Sequence, residues 1–157
     1  MSVTISLQDQ WEVQQVIQQT AAHLDAEDLS AWLAFFDASG EYEMTAFSTE
    51  LRKPLTWWKA DFPTLEKTLA EVPQHVRDPA RRLRVLGPAQ IRIEGDEAHA
   101  ECAFAVYRTS TDGESSLYVV GRYQDTLVRT APGQWRYRNH RVALDTRMLD
   151  AFTHLPL

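Results

Sequence analysis

Five side chains in this sequence could line a pocket and do acid–base chemistry there. They are Tyr42, Trp57, His75, Tyr107 and His140, and Asp37 is a further candidate. A phenol, imidazole or carboxyl group inside an apolar cavity has its pKa shifted by burial, and the shift can suit the group to proton transfer. If the chain is an enzyme, we expect these residues to face the interior of its fold.

Each of these residues also has an ordinary structural explanation. Tyr42 and Tyr107 lie in predicted strands, where packing alone favours aromatic side chains. Asp37 lies in a predicted turn, where aspartate is common. His140 stands between Asn139 and Arg141 and could be a hydrogen-bonded strand histidine. Spacing along the sequence does not decide whether these side chains meet in one cavity, so both interpretations stay open.

The sequence lacks the ligand patterns of common redox metal sites. A Rieske cluster requires two cysteines and two histidines, and the only cysteine here is Cys102. A mononuclear non-haem iron site requires two histidines and a carboxylate that converge. None of the five histidines forms a helical pair at a spacing of four beside an acid, and only His99 and His140 could meet on the sheet. We therefore expect no metal and no cofactor in this chain.

Nucleophile and phosphate-binding motifs are absent as well. The sequence has no Gly-x-Ser-x-Gly elbow and no serine beside a clear base. Its six glycines form no phosphate-binding loop. These absences argue against nucleotide chemistry.

Charge is distributed unevenly along the chain. Residues 1–80 carry 13 acidic and 5 basic side chains, whereas residues 81–157 carry 9 acidic side chains and 11 basic ones, all arginine. An acidic first half beside an arginine-rich second half argues against nucleic acid as the partner. Arginine forms bidentate contacts through its planar fork, so these side chains are either paired and interfacial or simply exposed on the strands.

The length and the apolar runs limit the class of protein. A chain of 157 residues has the size of one domain, which we predict to span residues 1–157. No apolar run is long enough to span a membrane, and residues 1–6 lack the pattern of a signal peptide. The lone Cys102 on an apolar strand face is typical of a buried thiol in a reducing compartment. We therefore expect a cytoplasmic protein with no membrane partner.

Helices are predicted in the first half of the chain. Apolar residues recur at spacings of three and four from Ser6, a candidate N-cap, to Leu24. Asp28 is the predicted cap of a second, short helix. A third helix is predicted within Thr56–Val72, with Asp61 as its cap.

Strands dominate the rest of the chain. A first strand is predicted over Glu41–Phe47, and four longer ones follow, separated by short glycine-containing turns. Helices followed by hairpin-connected strands favour an α+β domain in which the helices pack on a strongly curved antiparallel sheet to form a cone. The four longer strands are Arg82–Glu94 with a bend at Gly87-Pro88, Glu97–Thr109, Ser115–Arg129 and Gln134–Asp145.

Two apolar segments are candidates for binding surfaces. Trp57 and Trp58 stand side by side between Lys53 and Lys59, and tryptophan pairs are either core residues or interface anchors. The segment Phe152–Leu157 is apolar for the end of a chain. We expect this segment to dock on its own domain or on a neighbour.

Four segments together resemble a known family. In their order and at this length they are similar to the beta (small) subunits of aromatic-ring-hydroxylating dioxygenases, within the cone-shaped NTF2-like/SnoaL-like superfamily. The segments are Leu24-Asp25 through Trp32 to Phe36 and Tyr42, then Val76–Arg82, then Val119–Asp125, and finally Arg141–Thr146 with the ending Leu155-Pro156-Leu157.

The resemblance implies a fold, a function and a partner. It implies a cystatin-like/NTF2-like cone as a single domain over residues 1–157, and a non-catalytic small subunit of a Rieske non-haem iron oxygenase that degrades an aromatic compound. In that family the alpha subunit holds the Rieske iron–sulfur cluster and the mononuclear iron, and the beta subunit supports an assembly that is usually α3β3. An isolated beta chain is then expected to form a homotrimer or another self-associated state.

Two alternatives remain at this point. The chain could be a free-standing SnoaL-like or ketosteroid-isomerase-like enzyme that acts on a cyclic substrate in the pocket of the cone. That alternative predicts a deep cavity with an Asp–His or Tyr–Asp pair within hydrogen-bond reach, and an interior filled by tryptophan and phenylalanine would count against it. The chain could also be a binding or scaffold module without an enzyme partner.

Overall fold

The chain begins with two helices, and the predicted caps are present. In a computed structural model, the side chain of Ser6 caps helix α1 (Leu7–Asp25), and the carboxylate of Asp28 caps the short helix α2 (Leu29–Leu33). No helix in the described part of the chain is long and apolar enough to cross a membrane. The structure describes residues 6–75, 77–149 and 155–157.

The strands form one curved sheet, which confirms the predicted α+β cone. The strands are β1 (Phe36–Ser48), β2 (Lys53–Asp61), β3 (Arg81–Leu86), β4 (Gln90–Glu94), β5 (Glu97–Thr109), β6 (Ser115–Ala131) and β7 (Gln134–Leu144). Their order in the sheet is β2-β1-β7-β6-β5-β3, and β4 also pairs with β5. The ladders are antiparallel except for that between β1 and β7, which is parallel. These two strands lie at opposite ends of the sequence, so no hairpin forces them to run in opposite directions.

The predicted helix within Thr56–Val72 is only partly correct. Its first part is strand β2, which forms a hairpin with β1, and helix α3 spans Phe62–Glu71. Aromatic residues such as Trp57 favour a strand when a partner strand is available. The cap was predicted correctly, since the Asp61 carboxylate accepts a hydrogen bond from the backbone N–H of Thr64.

The long strand predicted over Arg82–Glu94 is divided in two. The bend expected at Gly87-Pro88 separates β3 from β4, and both strands pair with β5. The N–H of Gly87 donates to the carbonyl of Ala103 at 2.9 Å, so the break stays attached to the sheet.

The core lies between helix α1 and the inner face of the sheet. Val13, Ile17 and Leu24 on α1 are buried, and so are alternate residues of β5 from Ala98 to Val106. This alternation is the period-two pattern of a strand with one face covered. Cys102 lies on the covered face, and burial raises the pKa of its thiol to about 11, which makes the thiol unreactive.

Several arginines of the second half are paired with carboxylates. Arg108 Nε and Nη2 donate to the two carboxylate oxygens of Asp78 at 2.7 and 2.9 Å, and Arg82 donates to the same carboxylate at 3.1 Å. Hydrogen bonds from Arg108 hold the pKa of Asp78 well below its ordinary value. The charge pattern therefore reflects, at least at these positions, the paired alternative.

The contact between β6 and β7 leaves no room for a side chain at Gly121. A Cβ atom there would lie 2.5 Å from the carbonyl oxygen of Ala143 and 3.0 Å from Cα of Leu144. We predict that Gly121→Ala lowers the free energy of unfolding, measured by urea denaturation, by about 2–3 kcal/mol, because strand backbone must move. Gly87→Ala is the control, since the nearest atom to its Cβ is the Ala103 oxygen at 3.7 Å; equal losses in the two variants would contradict the steric explanation.

Candidate functional site

Two of the predicted pocket residues, Tyr42 and His140, meet inside the cone. They are partners across the parallel ladder of β1 and β7, and so they point from neighbouring strands toward the same interior. Tyr42 is fully buried and His140 is 2% exposed. Their ring centroids are 5.8 Å apart. The structure therefore brings these two predicted residues together in the interior.

An acidic side chain on the next strand completes a pair with His140. Asp125 of β6 is the cross-strand partner of His140, and its Oδ1 lies 2.6 Å from His140 Nδ1. Both side chains are almost entirely buried. Burial raises the pKa of the Asp125 carboxyl, and the charge and hydrogen bond of His140 oppose this shift. The result is an acid–base pair held away from water.

Aromatic rings surround this pair. Five ring centroids lie between 4.5 and 6.3 Å from that of His140. Most of the surface of such a wall is aromatic carbon and it excludes water, so electrostatic interactions inside it are strong and unpaired polar groups are costly. The five rings belong to Trp32, Phe36, Tyr42, Tyr123 and Tyr137.

Some polar atoms in this interior have no hydrogen-bond partner among the described residues. They include Asp125 Oδ2 and Trp32 Nε1, both of them buried. Most buried polar atoms in folded proteins are paired. The interior therefore keeps hydrogen-bonding capacity that the described side chains do not use.

The last three residues of the chain close the interior. Leu155, Pro156 and Leu157 are all buried. The backbone N–H of Leu157 donates to Tyr42 Oη at 3.2 Å, and the Pro156 carbonyl accepts a hydrogen bond from Arg84 Nη2 at 2.9 Å. The predicted docking of the chain's apolar end is confirmed for these three residues, whereas residues 150–154 lie outside the described part.

A buried arginine links this segment to helix α1. Arg84 of β3 is 7% exposed, and its Nη1 donates to Asp25 Oδ1 at 2.8 Å. The Asp25 carboxylate also accepts the backbone N–H of Arg84. One carboxylate at the end of α1 thus holds both the backbone and the side chain of Arg84 at the mouth of the cone.

The other three predicted pocket residues lie outside the interior. Trp57 is 41% exposed, because on β2 it is its neighbour Trp58 that turns inward, against Tyr42. Tyr107 is 42% exposed, because the inner face of β5 carries the alternate residues that end at Val106. His75 is exposed, just after the short 3-10 helix Val72–Gln74.

Other polar candidates also have local structural roles. Asp37 bonds to the backbone N–H and the hydroxyl of Ser39, and these bonds lower the pKa of Asp37. His99 lies on the outer face of β5, where it contacts Glu97 at 2.8 Å, so it does not meet His140. Among the described residues, no three His, Cys, Asp or Glu side chains are placed to hold a metal ion.

Sequence reasoning missed Asp125 and Arg84, although the sequence carries a signal for the first. On β6 the buried residues Val119, Tyr123 and Leu127 lie at even spacings from Asp125, so the four side chains are on the same face of the strand. A carboxylate among the apolar residues on one face of a long strand indicates a buried partner. No comparable signal marks Arg84, because its partners come from α1 and from the other end of the chain.

Comparison with protein-family models identifies a match over most of the chain. Residues 6–141 match the model of the SnoaL-like domain. The matched range contains the helices and nearly all of the sheet, including Tyr42, Arg84, Asp125 and His140. The residues Leu155–Leu157 lie beyond it.

Two curated proteins are similar in sequence over nearly the whole chain. The beta subunit of 2-aminobenzenesulfonate 2,3-dioxygenase from an Alcaligenes species is 30% identical over 135 residues, which is 85% of this chain and 89% of that protein. The hydroxylase beta subunit of methanesulfonate monooxygenase from Methylosulfonomonas methylovora is 28% identical over 155 residues, which is 92% of this chain and 85% of that protein.

A solved structure shows the same fold. A crystal structure assigned to the beta subunit of an aromatic-ring-hydroxylating dioxygenase from Novosphingobium aromaticivorans superposes with a TM-score of 0.79 at 22% identity. The superposition covers 89% of this chain and 91% of that one.

The buried acid–base pair makes a testable contribution to stability. We predict that Asp125→Ala lowers the free energy of unfolding in urea at neutral pH by about 3 kcal/mol or more, because it leaves buried His140 without its partner. Asp96→Ala removes a carboxylate that is 83% exposed and 3.1 Å from Arg129, and we expect a smaller loss, since exposed ion pairs contribute little. Similar losses in both variants would show that Asp125 and His140 do not form a buried pair in solution.

Proposed function

This chain belongs to the SnoaL-like domain family and, within it, to the beta subunits of the aromatic-ring-hydroxylating dioxygenases, and from that premise we propose that it is the non-catalytic small subunit of a Rieske non-haem iron oxygenase. Its role is to support assembly with a catalytic alpha subunit in the degradation of an aromatic compound. The partner holds the Rieske cluster and the mononuclear iron, in an α3β3 complex in the cytoplasm. The single cysteine supports this division, because it cannot provide the two that a Rieske cluster needs.

The observation that carries the proposal is the filled interior of the cone. A substrate site needs a concave space with converging polar groups. Here the space around His140 is occupied by five aromatic rings and the segment Leu155–Leu157. An occupied interior supports a structural subunit over a free-standing enzyme.

One observation favours the alternative enzyme. The Asp125–His140 pair is the kind of acid–base pair that a free-standing SnoaL-like or ketosteroid-isomerase-like enzyme would use on a cyclic substrate. Among the described residues, aromatic rings and Leu155–Leu157 enclose the pair, whereas that alternative requires an open cavity. The alternative therefore ranks second.

An exposed apolar surface on the outer face of the sheet supports an assembly role. Two rows of cross-strand partners on β3, β5 and β6 form this surface, here named the outer patch. None of its six side chains is charged, and five of them are large and exposed. Contiguous apolar patches of this kind mark protein interfaces. The rows are Leu83, Tyr107 and Leu117, and then Val85, Ala105 and Val120.

We propose that the alpha subunit covers the outer patch. The chain has a net charge of −6, so two copies repel each other at long range, whereas a different chain is under no such constraint. The curated relatives are beta subunits by name, and a beta subunit has a larger partner to contact. Self-association through the same patch is the competing outcome.

The assembly is tested by co-expression with an alpha-subunit candidate from the same genome. We predict a complex with an α3β3 mass by size-exclusion chromatography with light scattering, with iron and visible absorbance confined to the partner. Iron bound tightly by the isolated chain, or a stable oligomer that leaves the partner out, would contradict the proposed function and favour the free-standing enzyme.

The outer patch is tested by a charge placed at its edge. We predict that Leu83→Glu prevents co-purification with the alpha subunit without unfolding the chain, because a carboxylate would have to be desolvated in the interface. Leu51→Glu in the β1–β2 turn is the matched control, since Leu51 is 60% exposed and Leu83 is 58% exposed.

The results for Leu83→Glu distinguish an error in the location of the interface from an error in the proposed function. A complex that survives Leu83→Glu would place the interface elsewhere while leaving the function of the chain intact. Loss of an isolated-chain oligomer in Leu83→Glu, with the alpha complex retained, would assign the patch to a second copy.

A further inference from the structure

We propose that copies of this chain contact one another through two different surfaces, with Trp57 of one copy seated in a groove between α2 and α3 of the next copy. Three such contacts close a ring. The inference rests on the proposed function for its three-fold symmetry, and it names the surfaces that hold the small subunits together.

The first surface, here named the β2 anchor, consists of Leu55 and Trp57. Their side chains are 36% and 41% exposed, and they lie on β2, an edge strand of the sheet. The register of the β1–β2 ladder shifts between Met44 and Thr45, so Trp57 has no partner in this ladder. Tryptophan is enriched among the few residues that supply most of the binding energy of an interface. The β2 anchor therefore has the exposure and the composition of an interface hot spot.

The second surface is a concave one, here named the α2–α3 groove. Three of its side chains, Leu29, Leu33 and Phe62, are only half-buried and pack on the core beneath them. The groove has a volume of about 340 Å³, whereas an apolar cavity of about 150 Å³ already accepts benzene. An indole ring therefore fits the groove in both size and polarity.

The groove is out of reach of the anchor in its own chain. Trp57 is not among the residues that line the groove. Helix α3 begins at Phe62, directly after β2, and a strand rises about 3.3 Å per residue, so Trp57 lies roughly 15 Å from that end of the groove. An indole side chain does not span this distance. The anchor of a second copy can fill the groove, whereas that of the same copy cannot.

The charges at the two surfaces are opposite. Lys53 and Lys59 flank the anchor on β2, whereas the only charged side chain in the described lining of the groove is that of Glu66. Within the described part of the chain, neither Lys53 nor Glu66 forms an ion pair. Two copies of net charge −6 repel each other at long range. This contact opposes that repulsion, because it brings a cation close to an acid.

The symmetry of a ring requires two surfaces of this kind. A two-fold contact joins the same surface of both copies, whereas a ring repeats a contact between two different surfaces until it closes. The β2 anchor projects and the α2–α3 groove is concave, and they lie on different elements. The proposed α3β3 assembly contains three copies of this chain, and this contact leaves the outer patch free for the alpha subunit.

The experiment separates the two halves of the contact. Trp57→Ala removes the anchor and keeps the groove, whereas Ala70→Trp fills the groove that Ala70 lines and keeps the anchor. By light scattering at submillimolar concentration, we expect a trimer for the unsubstituted chain and a monomer for each variant alone. A mixture of the two variants should form a heterodimer, because one intact anchor then meets one intact groove. Glu66→Arg, at an exposed position, is the second groove variant if Ala70→Trp does not fold.

Trp11→Ala is the matched control for the anchor. Trp11 is 59% exposed but lies on α1, so its removal should leave the trimer unchanged. We expect Trp57→Ala to raise the concentration at which the trimer dissociates by about tenfold or more. An unsubstituted chain that stays monomeric, a mixture of variants that stays monomeric, or equal effects of Trp57→Ala and Trp11→Ala would overturn the proposal.

Co-expression with the alpha subunit distinguishes a failure of this contact from a failure of the proposed function. An unsubstituted chain that is monomeric alone but enters a complex with the alpha subunit would overturn the contact and leave the proposed function intact. Variants that pair as expected, in a chain that forms no complex with an alpha subunit, would support the contact and contradict the proposed function.

Discussion

The buried guanidinium of Arg84 is the interaction on which the closed form of this cone depends. It connects three segments that are distant in sequence, because Arg84 belongs to β3, its carboxylate partner Asp25 ends α1, and its carbonyl partner is Pro156. Removing such a charge from water is costly, and the cost is offset only where the partners are well placed. Asp25 meets this requirement by accepting both the side-chain and the backbone N–H groups of Arg84. Through its bonds to Asp25 and to the Pro156 carbonyl, Arg84 therefore ties the end of the helix and the last residues to the sheet.

Side chains alternate along each strand, so one face of the sheet forms the core and the other forms the outer patch. On β5 the residues from Ala98 to Val106 in one phase are buried, and Ala105 and Tyr107 in the other phase belong to the outer patch. A shift of one residue would exchange the two sets, so the register that builds the core also builds the outer surface. This coupling explains how a small domain can present an apolar face to a partner without exposing its core. It also means that core variants and surface variants on the same strand must be compared with controls of equal burial.

Local features of the sequence were predictable, and distant contacts were not. The caps at Ser6, Asp28 and Asp61, the hairpins and the cone were predicted from nearby residues and from the family resemblance. The parallel pairing of β1 with β7 was missed because it depends on contacts between the two ends of the chain. In the site, Tyr42 and His140 were predicted to face inward and do so. Tyr107 was predicted to face inward but lies on the outer face of β5, one residue beyond the inward-facing Val106, so alternation along the strand and not residue type decides its position.

The interior shows that chemically capable residues do not by themselves make an active site. Asp125 and His140 lie 2.6 Å apart in an apolar enclosure, an arrangement that shifts the pKa of the carboxyl and could serve proton transfer. Among the described residues, Leu155–Leu157 fills the approach past Arg84. Function on this fold therefore depends less on the pair than on what occupies the mouth. In this chain the Asp125–His140 pair is part of the core, and the buried residues Leu155–Leu157 are hydrogen-bonded to Arg84 and Tyr42 beside it.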